Sequence, residues 1–300
     1  MAADLDIAEA QISHKRWLTT PALLCILLFG MVPLITVLCY SLMQPSEYGG
    51  VIGRFSSDAY ISLLFQRDIF DDTLTFSPDY LIIFVRTLAF GVATTTLCLL
   101  IGFPTAYFMA TRPPHTRNRW VLLITIPFWS NLLVRTIAIM FIIRDEGLIN
   151  TALISVGLVD RPVGMIFTDF AVIVGLIYSF LPFMILPIYA ALEKIDFRMA
   201  EAGFDLYASR FQVLWRIIIP LAMPGIITGC VLVFIPTFGA YVTPLLLGGG
   251  RHMMIGDLIA LQFGSSRNWP LGSAFATVLM GFVLLALYIQ ARKAMGVSHG

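Results

Sequence analysis

Residues 170–192 read FAVIVGLIYSFLPFMILPIYAAL, a run without a single Asp, Glu, Lys or Arg. A bilayer's hydrocarbon core is about 30 Å thick, and a helix rising about 1.5 Å per residue needs about 20 apolar residues to cross it. Uncharged stretches of sufficient length recur at 17–46, 87–111, 217–250 and 268–291, and a sixth, 120–143, is interrupted only by Arg135. Composition agrees: of 300 residues 58% are hydrophobic and 12% charged, whereas a soluble domain carries about 25% charged residues. That is too little ionisable surface to cover a water-exposed globule. The pattern predicts an all-α integral membrane protein with six transmembrane helices, at about 18–43, 81–111, 120–143, 168–192, 217–247 and 270–291. Residues 17–291 form the membrane domain, between an N-terminal segment 1–16 and a tail 292–300.

Loop charges orient the chain. With the N-terminus inside, the inner segments 1–16, 112–119, 193–216 and 292–300 hold eleven Lys and Arg against six in the outer ones. Cytoplasmic loops are enriched in these residues, so both termini are expected inside. The outer segments hold ten acids, Glu47, Asp58, Asp68, Asp71, Asp72, Asp79, Asp145, Glu146, Asp160 and Asp257. Such a face attracts cations; equally, acids avoid the anionic inner leaflet. Asp4, Asp6 and Glu9 precede the first basic pair, and the following apolar stretch exceeds the 7–15 residues of a signal-peptide core. A retained first helix is expected.

Several chemistries are excluded. The three lysines follow His14, Glu193 and Arg292, so the Gly-Lys pair that a phosphate-binding loop requires is absent. The four histidines are scattered and no Cys-x2-Cys occurs, which gives metal chemistry no support. Cys25, Cys39, Cys98 and Cys230 lie inside spans and read as small packing residues. No nucleophile elbow is present. The chain reads as a non-enzyme, without metal or cofactor of its own and without a nucleic-acid partner; its surroundings are lipid.

Residues 44–80, mixing aromatics and acids, suggest a folded outer loop, and RPPHTRNR (112–119) a basic turn that Pro113–Pro114 separates from the preceding helix. The apolar run 148–159 is too short to span and suits an interfacial or packed helix. Pro33, Pro104, Pro127, Pro182, Pro187, Pro224, Pro236 and Pro244 fall within spans. Each frees a carbonyl that neighbours or water must satisfy, as around a solute cavity or at simple packing kinks.

The segment 192–226, LEKIDFRMAEAGFDLYASRFQVLWRIIIPLAMPGI, is an inner loop far longer than a turn needs. Met199–Leu206 is compatible with helix, Ser209 is a candidate N-cap, and Phe211–Ile219 forms a second amphipathic stretch. Here the chain resembles the permease subunits of bacterial ABC importers. Their signature, E-A-A, three residues, G, nine residues, I-x-L-P, is matched in register by Glu201-Ala202-Gly203 through Tyr207 to Ile217, Ile219 and Pro220. The resemblance implies the type I importer permease fold, with 193–216 as a coupling loop seated in an ATPase subunit through Glu201, Ala202, Gly203, Asp205, Tyr207 and Ala208. Gly203 stands where the family has alanine. Tyr207 stands at the family's glycine, where positive φ strains a bulky residue, so the sharp turn is in question.

PFWSNLLVR (127–135), LPFMILPIY (181–189), EKID (193–196) and 254–274 look like the spermidine/putrescine branch. That branch implies a second homologous permease, two ATPase subunits that bind ATP and Mg, a periplasmic solute-binding protein, and alternating access across the inner membrane. Trp129, Asn131, Arg135, Thr237, Tyr241 and Thr243 are the pathway candidates. On one helix Asn131 and Arg135 share a face and Trp129 does not. A guanidinium inside a span costs at least ~2.5 kcal/mol, so Arg135 should meet water, solute or an acid such as Asp169, Asp145 or Glu146. In polyamine relatives the segment matching 236–249 tends to carry a carboxylate, but here no acid lies between Asp205 and Asp257. Either the sister permease supplies the counter-charge, or the solute is another small polar metabolite, opine- or amino-acid-like. An ion-coupled carrier acting alone would need a buried acid, and Asp169 is the only one at a span.

Overall fold

The computed structural model describes residues 2–46, 48–67 and 74–297. Glu47, Asp68, Asp71 and Asp72 of the expected acidic face, with Met1 and residues 298–300, lie outside the described residues. The chain divides into two units, Met1–Ser77 with Leu261–Gly300, and Pro78–Ala260.

In the first unit, α1 (Ala2–Tyr40) takes in most of the segment 1–16 that was expected as a separate tail. An antiparallel pair, β1 (Met43–Pro45) and β2 (Val51–Phe55), is followed by α2 (Asp58–Ile61). A second pair, β3 (Phe65–Arg67) and β4 (Leu74–Phe76), sets Phe65 opposite Phe76 with ring centroids 6.0 Å apart. Residues 44–80 are therefore folded where described.

The second unit begins with α3 (Asp79–Ala110), which ends before the Pro113–Pro114 pair. Pro114 then opens α4 (Pro114–Thr125), because the first helical position needs no intrahelical N–H. Residues 114–119, expected as a turn, are thus helical. A 3-10 turn, Ile126–Trp129, leads to α5 (Leu132–Ile143), and α6 (Leu148–Ser155) forms the short helix expected in 148–159. Asn150, fully buried, ties that region: its amide donates to the carbonyls of Arg144 (3.1 Å) and Val163 (3.0 Å) and accepts from Val163 N. Next come α7 (Asp169–Leu192), α8 (Arg198–Asp205), α9 (Arg210–Val213), a π turn Leu214–Ile218, α10 (Ile219–Phe238), α11 (Val242–Leu247) and α12 (Ile255–Phe263). Finally α13 (Trp269–Val297) packs beside α1 in the first unit, Trp269 lying 6.2 Å from Tyr40.

Among the described residues five helices are long and apolar enough to cross a membrane: Leu23–Tyr40, Asp79–Ala110, Asp169–Leu192, Arg210–Phe238 and Trp269–Gln290. The expected third span, 120–143, is not one straight helix. Pro114–Trp129 and Leu132–Ser155 meet at 97°, and the pair counts as a sixth crossing only if taken together. Pro127 cannot donate to the turn before it, Ser130 and Asn131 turn extended, and Asn131 Oδ1 restarts the helix by accepting from Leu133 N at 2.8 Å. The fifth span likewise stops at Phe238, short of residue 247.

α3, α7 and α10 pack pairwise. Lipid-immersed helices gain little by burying apolar surface on each other, so contact rests on small residues that let backbones approach. The buried stripe of α3 is Gly91, Thr94, Cys98, Gly102 and Ala106, and that of α10 is Ala222, Gly225 and Gly229. Several hydroxyls in these helices turn back onto their own carbonyls, as in Thr95 to Gly91 (2.7 Å) and Thr228 to Pro224 (2.7 Å), while that of Thr94 is buried without a partner. At Gly225 a methyl group would come within 2.6 Å of both the Pro187 carbonyl oxygen and Ala191 Cβ on α7. Gly225→Ala is expected to cost about 1–3 kcal/mol by overpacking, read as a lower melting temperature in detergent, while Gly30→Ala, with nothing within 4 Å of its new carbon, leaves it unchanged.

Candidate functional site

Polar groups gather at two places in the Pro78–Ala260 unit. The first is the hairpin between α7 and α10. Helix α8 buries Ala200 and Gly203 and exposes Glu201, Ala202 and Asp205. A methyl at Gly203 would meet Ile217 Cδ1 at 2.9 Å and Val213 Cγ2 at 3.2 Å, so glycine in place of alanine seats the first arm closely on the second. The turn does form. Tyr207 N donates to Phe204 O (2.9 Å), Ala208 N donates to Gly203 O (3.1 Å), and Tyr207 sits at φ 58°. This is the helix ending that normally selects glycine. The tyrosine ring, 98% exposed, projects clear of the hairpin.

Ser209 caps the second arm as expected. Its hydroxyl accepts from Gln212 N at 3.3 Å, and Gln212 Oε1 accepts from Ser209 N at 2.8 Å. From Arg210 the helix continues through the π turn into α10 as one apolar rod, Arg210–Phe238. The widened turn precedes Pro220, whose missing N–H and ring would otherwise disrupt regular helix. Phe204, Leu206, Tyr207, Phe211 and Trp215 leave an exposed apolar face on the hairpin. A groove of about 390 Å³ at its base is lined by Lys194, Asp196, Met199 and Leu221 among others. Arg117, 3.7 Å from Glu193, ties α4 to the hairpin's start.

The second place is the pair of helix breaks. At Ser130–Asn131, Asn131 is a cap and Trp129 stands 89% exposed; the interruption voids the single-helix angle between Trp129 and Arg135. One turn into α5, Arg135 has its Nε and one terminal nitrogen buried without a hydrogen-bond partner. Of the acids expected as its partners, none pairs with Arg135 among the described residues. Asp169 instead lies 2.5 Å from His252 Nδ1, and Glu146 lies 4.0 Å from Arg144. Arg144 is nine residues beyond Arg135, about 13 Å along a helix, so the acids beyond α5 are out of reach.

At the other break, residues 239–241 separate α10 from α11. Thr237 is fully buried with its hydroxyl on Val233 O (2.7 Å), Thr243 is buried, and Tyr241 is half exposed. Helix α11 packs against α5 and α7. Residues 251–257 lie against α3 and this break. Arg86 donates to Arg251 O (3.3 Å), Ile255 N donates to Thr87 Oγ1 (2.9 Å), and a methyl at Gly256 would fall 2.6 Å from Ala240 O. The next residue, Asp257, is 6% exposed; its Oδ2 accepts from Met254 N (2.9 Å) and its Oδ1 has no partner. Burial pushes this carboxyl up to about 7, against the opposing pull of the Met254 amide.

Residues 7–296 match the family described as binding-protein-dependent transport system inner membrane component. The chain belongs to this family. It is 38% identical over 273 residues to the spermidine/putrescine transport system permease protein PotB of Haemophilus influenzae, covering 90% of this chain and 91% of that protein. PotB of Escherichia coli strain K12 is 36% identical over 270 residues, 89% of this chain and 94% of that one. Among solved structures, a chain of a bacterial alginate ABC transporter in complex with an alginate pentasaccharide-bound periplasmic protein superposes with a TM-score of 0.64 at 19% identity, covering 96% of each chain. That likeness concerns fold alone.

In this permease, Thr237, Tyr241 and Thr243 gather at one break, and Asn131 and Arg135 sit on the helix packed against α11, whereas Trp129 joins neither group. Sequence reasoning missed Asp257 by counting it among surface acids; the available signal was its isolation in the apolar run MIGDLIALQF (254–263).

Two outcomes are expected. Tyr207→Gly relieves a left-handed backbone that costs an L side chain about 1–2 kcal/mol, so it raises the melting temperature. Asp257 binds its proton more tightly folded than at the ordinary 3.8. Between about pH 4 and 7 the folded state keeps a proton that the unfolded state has lost, so stability falls as pH rises and levels off above 7. Melting temperatures between about pH 5 and 8 decline by a few degrees in the parent and stay flatter in Asp257→Asn.

Proposed function

We propose that the chain is one of two homologous permease subunits of an ATP-driven importer that moves a small organic amine, a polyamine such as spermidine or putrescine, inward by alternating access. The observation that carries this reading is the rod Arg210–Phe238, which joins the hairpin to the 239–241 break. At about 1.5 Å per residue it is about 43 Å long. In this reading two ATPase subunits bind ATP and Mg and grip the exposed Glu201, Ala202, Asp205 and Tyr207, while Gly203 and Ala208 hold the hairpin's shape. Their closure pushes the rod, and the Thr237–Tyr241–Thr243 end shifts in response. Solute arrives from a periplasmic binding protein. The excess of basic residues in 1–16, 112–119, 193–216 and 292–300 supports placing hairpin and termini in the cytoplasm.

The polyamine class is supported by PotB likeness over about nine-tenths of the chain. A carboxylate-bearing amine, opine- or amino-acid-like, is the second reading, favoured by the unpartnered guanidinium of Arg135. An ion-coupled carrier acting alone would draw on the buried Asp257; uptake by the purified chain under an ion gradient, without ATPase, is the result that reading requires.

In the assembled transporter, Glu201→Lys or Ala202→Trp should lower ATP-dependent uptake about tenfold or more without changing the amount of chain in the membrane. Asp205→Cys, with no native thiol in the hairpin, should crosslink to a nucleotide-hydrolysing protein in cells. Unimpaired uptake, or no such crosslink, would overturn the assignment.

A further inference from the structure

The segment 236–249 brings no carboxylate to the α10–α11 break, yet a cation crossing apolar surroundings needs a counter-charge. The tertiary structure brings one from elsewhere in the chain. α12 begins against the break so closely that position 256 has no room for a side-chain carbon beside Ala240 O (2.6 Å) and Gly239 O (3.0 Å). Asp257 follows directly and is more than nine-tenths buried. Its Oδ2 is used in capping α12, and its Oδ1 is buried with no partner.

The cations of the surrounding elements are engaged elsewhere or do not reach it. Arg86 donates to Arg251 O, His252 lies against Asp169, and neither Arg251 nor Arg135 pairs with Asp257 among the described residues. A purely capping role would use one oxygen and leave the other in water. Here the second oxygen is shielded from water and unsatisfied, an arrangement that costs free energy unless something donates to it. The carbonyls of Gly239 and Ala240, against which the preceding residue Gly256 packs, accept no backbone hydrogen bond among the described residues. A carboxylate one residue from the contact with unwound backbone carbonyls is chemistry that suits a primary or secondary ammonium group, with several N–H donors and one positive charge.

We propose that Asp257, with the carbonyls of Gly239 and Ala240, receives an ammonium group of the transported solute at the α10–α11 break and supplies the counter-charge that residues 236–249 lack. The inference rests on the solute being an organic amine, and holds for a polyamine or an amino-acid-like amine alike. It also gives the coupling rod a target: Arg210–Phe238 ends next to the carbonyls on which Gly256 packs, one residue before the carboxylate, so moving the rod alters the ammonium's coordination.

The test uses the full transporter, with partner permease, ATPases and binding protein, in proteoliposomes, and radiolabelled spermidine and putrescine as probes. Uptake is normalised to assembled complex. Asp257→Asn keeps the oxygen that caps Met254 N and removes the charge; it should reduce uptake about tenfold or more. Asp257→Glu and Asp257→Gln differ from each other only in charge, so if Asp257→Asn assembles poorly this pair decides, Glu retaining most uptake and Gln losing it. Parental uptake matched by Asp257→Asn, or by Gln equally with Glu, overturns the role of Asp257 and leaves the amine reading standing. A parent that imports no amine, across polyamines and amino acids, overturns both.

Discussion

Backbone contact between α7 and α10, closest where Gly225 meets the Pro187 carbonyl and Ala191, is the constraint on which the rest of the Pro78–Ala260 unit depends. Lipid offers no hydrophobic reward for bringing two apolar helices together. Their association therefore relies on fit, and fit here means omitting side chains from one stripe of α10 and a matching stripe of α3. Most threonine hydroxyls on these helices, such as those of Thr95 and Thr228, bond their own carbonyls, whereas the buried Thr94 hydroxyl on α3 has no partner. The packed faces are thereby kept largely free of polar groups, and unpartnered polar atoms stand out against that background.

They stand out at breaks and their edges. Proline at 127 interrupts the expected third span, and glycine with alanine at 239–240 ends the rod of α10. A broken helix inside apolar surroundings exposes carbonyls and N–H groups that need partners. Asn131 satisfies part of the first break by capping α5. At the second, α12 covers the unwound carbonyls and brings in a carboxylate. Opposite charges, Arg135 on α5 and Asp257 on α12, are not paired with each other among the described residues.

The hairpin shows how an unfavourable residue is accommodated. A tyrosine in the left-handed region would ordinarily argue against a sharp turn. Two backbone hydrogen bonds, the close seating that Gly203 allows, and the Ser209–Gln212 capping box together hold the geometry. The ring points into solvent, where its bulk meets nothing in this chain. The second arm runs on through the π turn into α10, one helical rod from Arg210 to Phe238 that ends at the 239–241 break.

The runs of uncharged residues determined by themselves that the chain is a helical membrane protein, since bilayer thickness and helix rise leave little choice once charges are absent for twenty positions. The spacing of Glu201, Ala202 and Pro220 likewise placed the hairpin, and Ser209 marked its second helix, because capping is local chemistry. The 97° bend at Ser130–Asn131 was not legible, for proline in a span permits a kink, a break or a straight helix according to what neighbours satisfy. Nor could the sequence assign Asp257. An acid seven residues past a glycine run reads as surface until the packing of Gly256 on Ala240 removes water from it, and burial, being a property of contacts distant along the chain, is decided only when α12, α3 and the α10–α11 break come together.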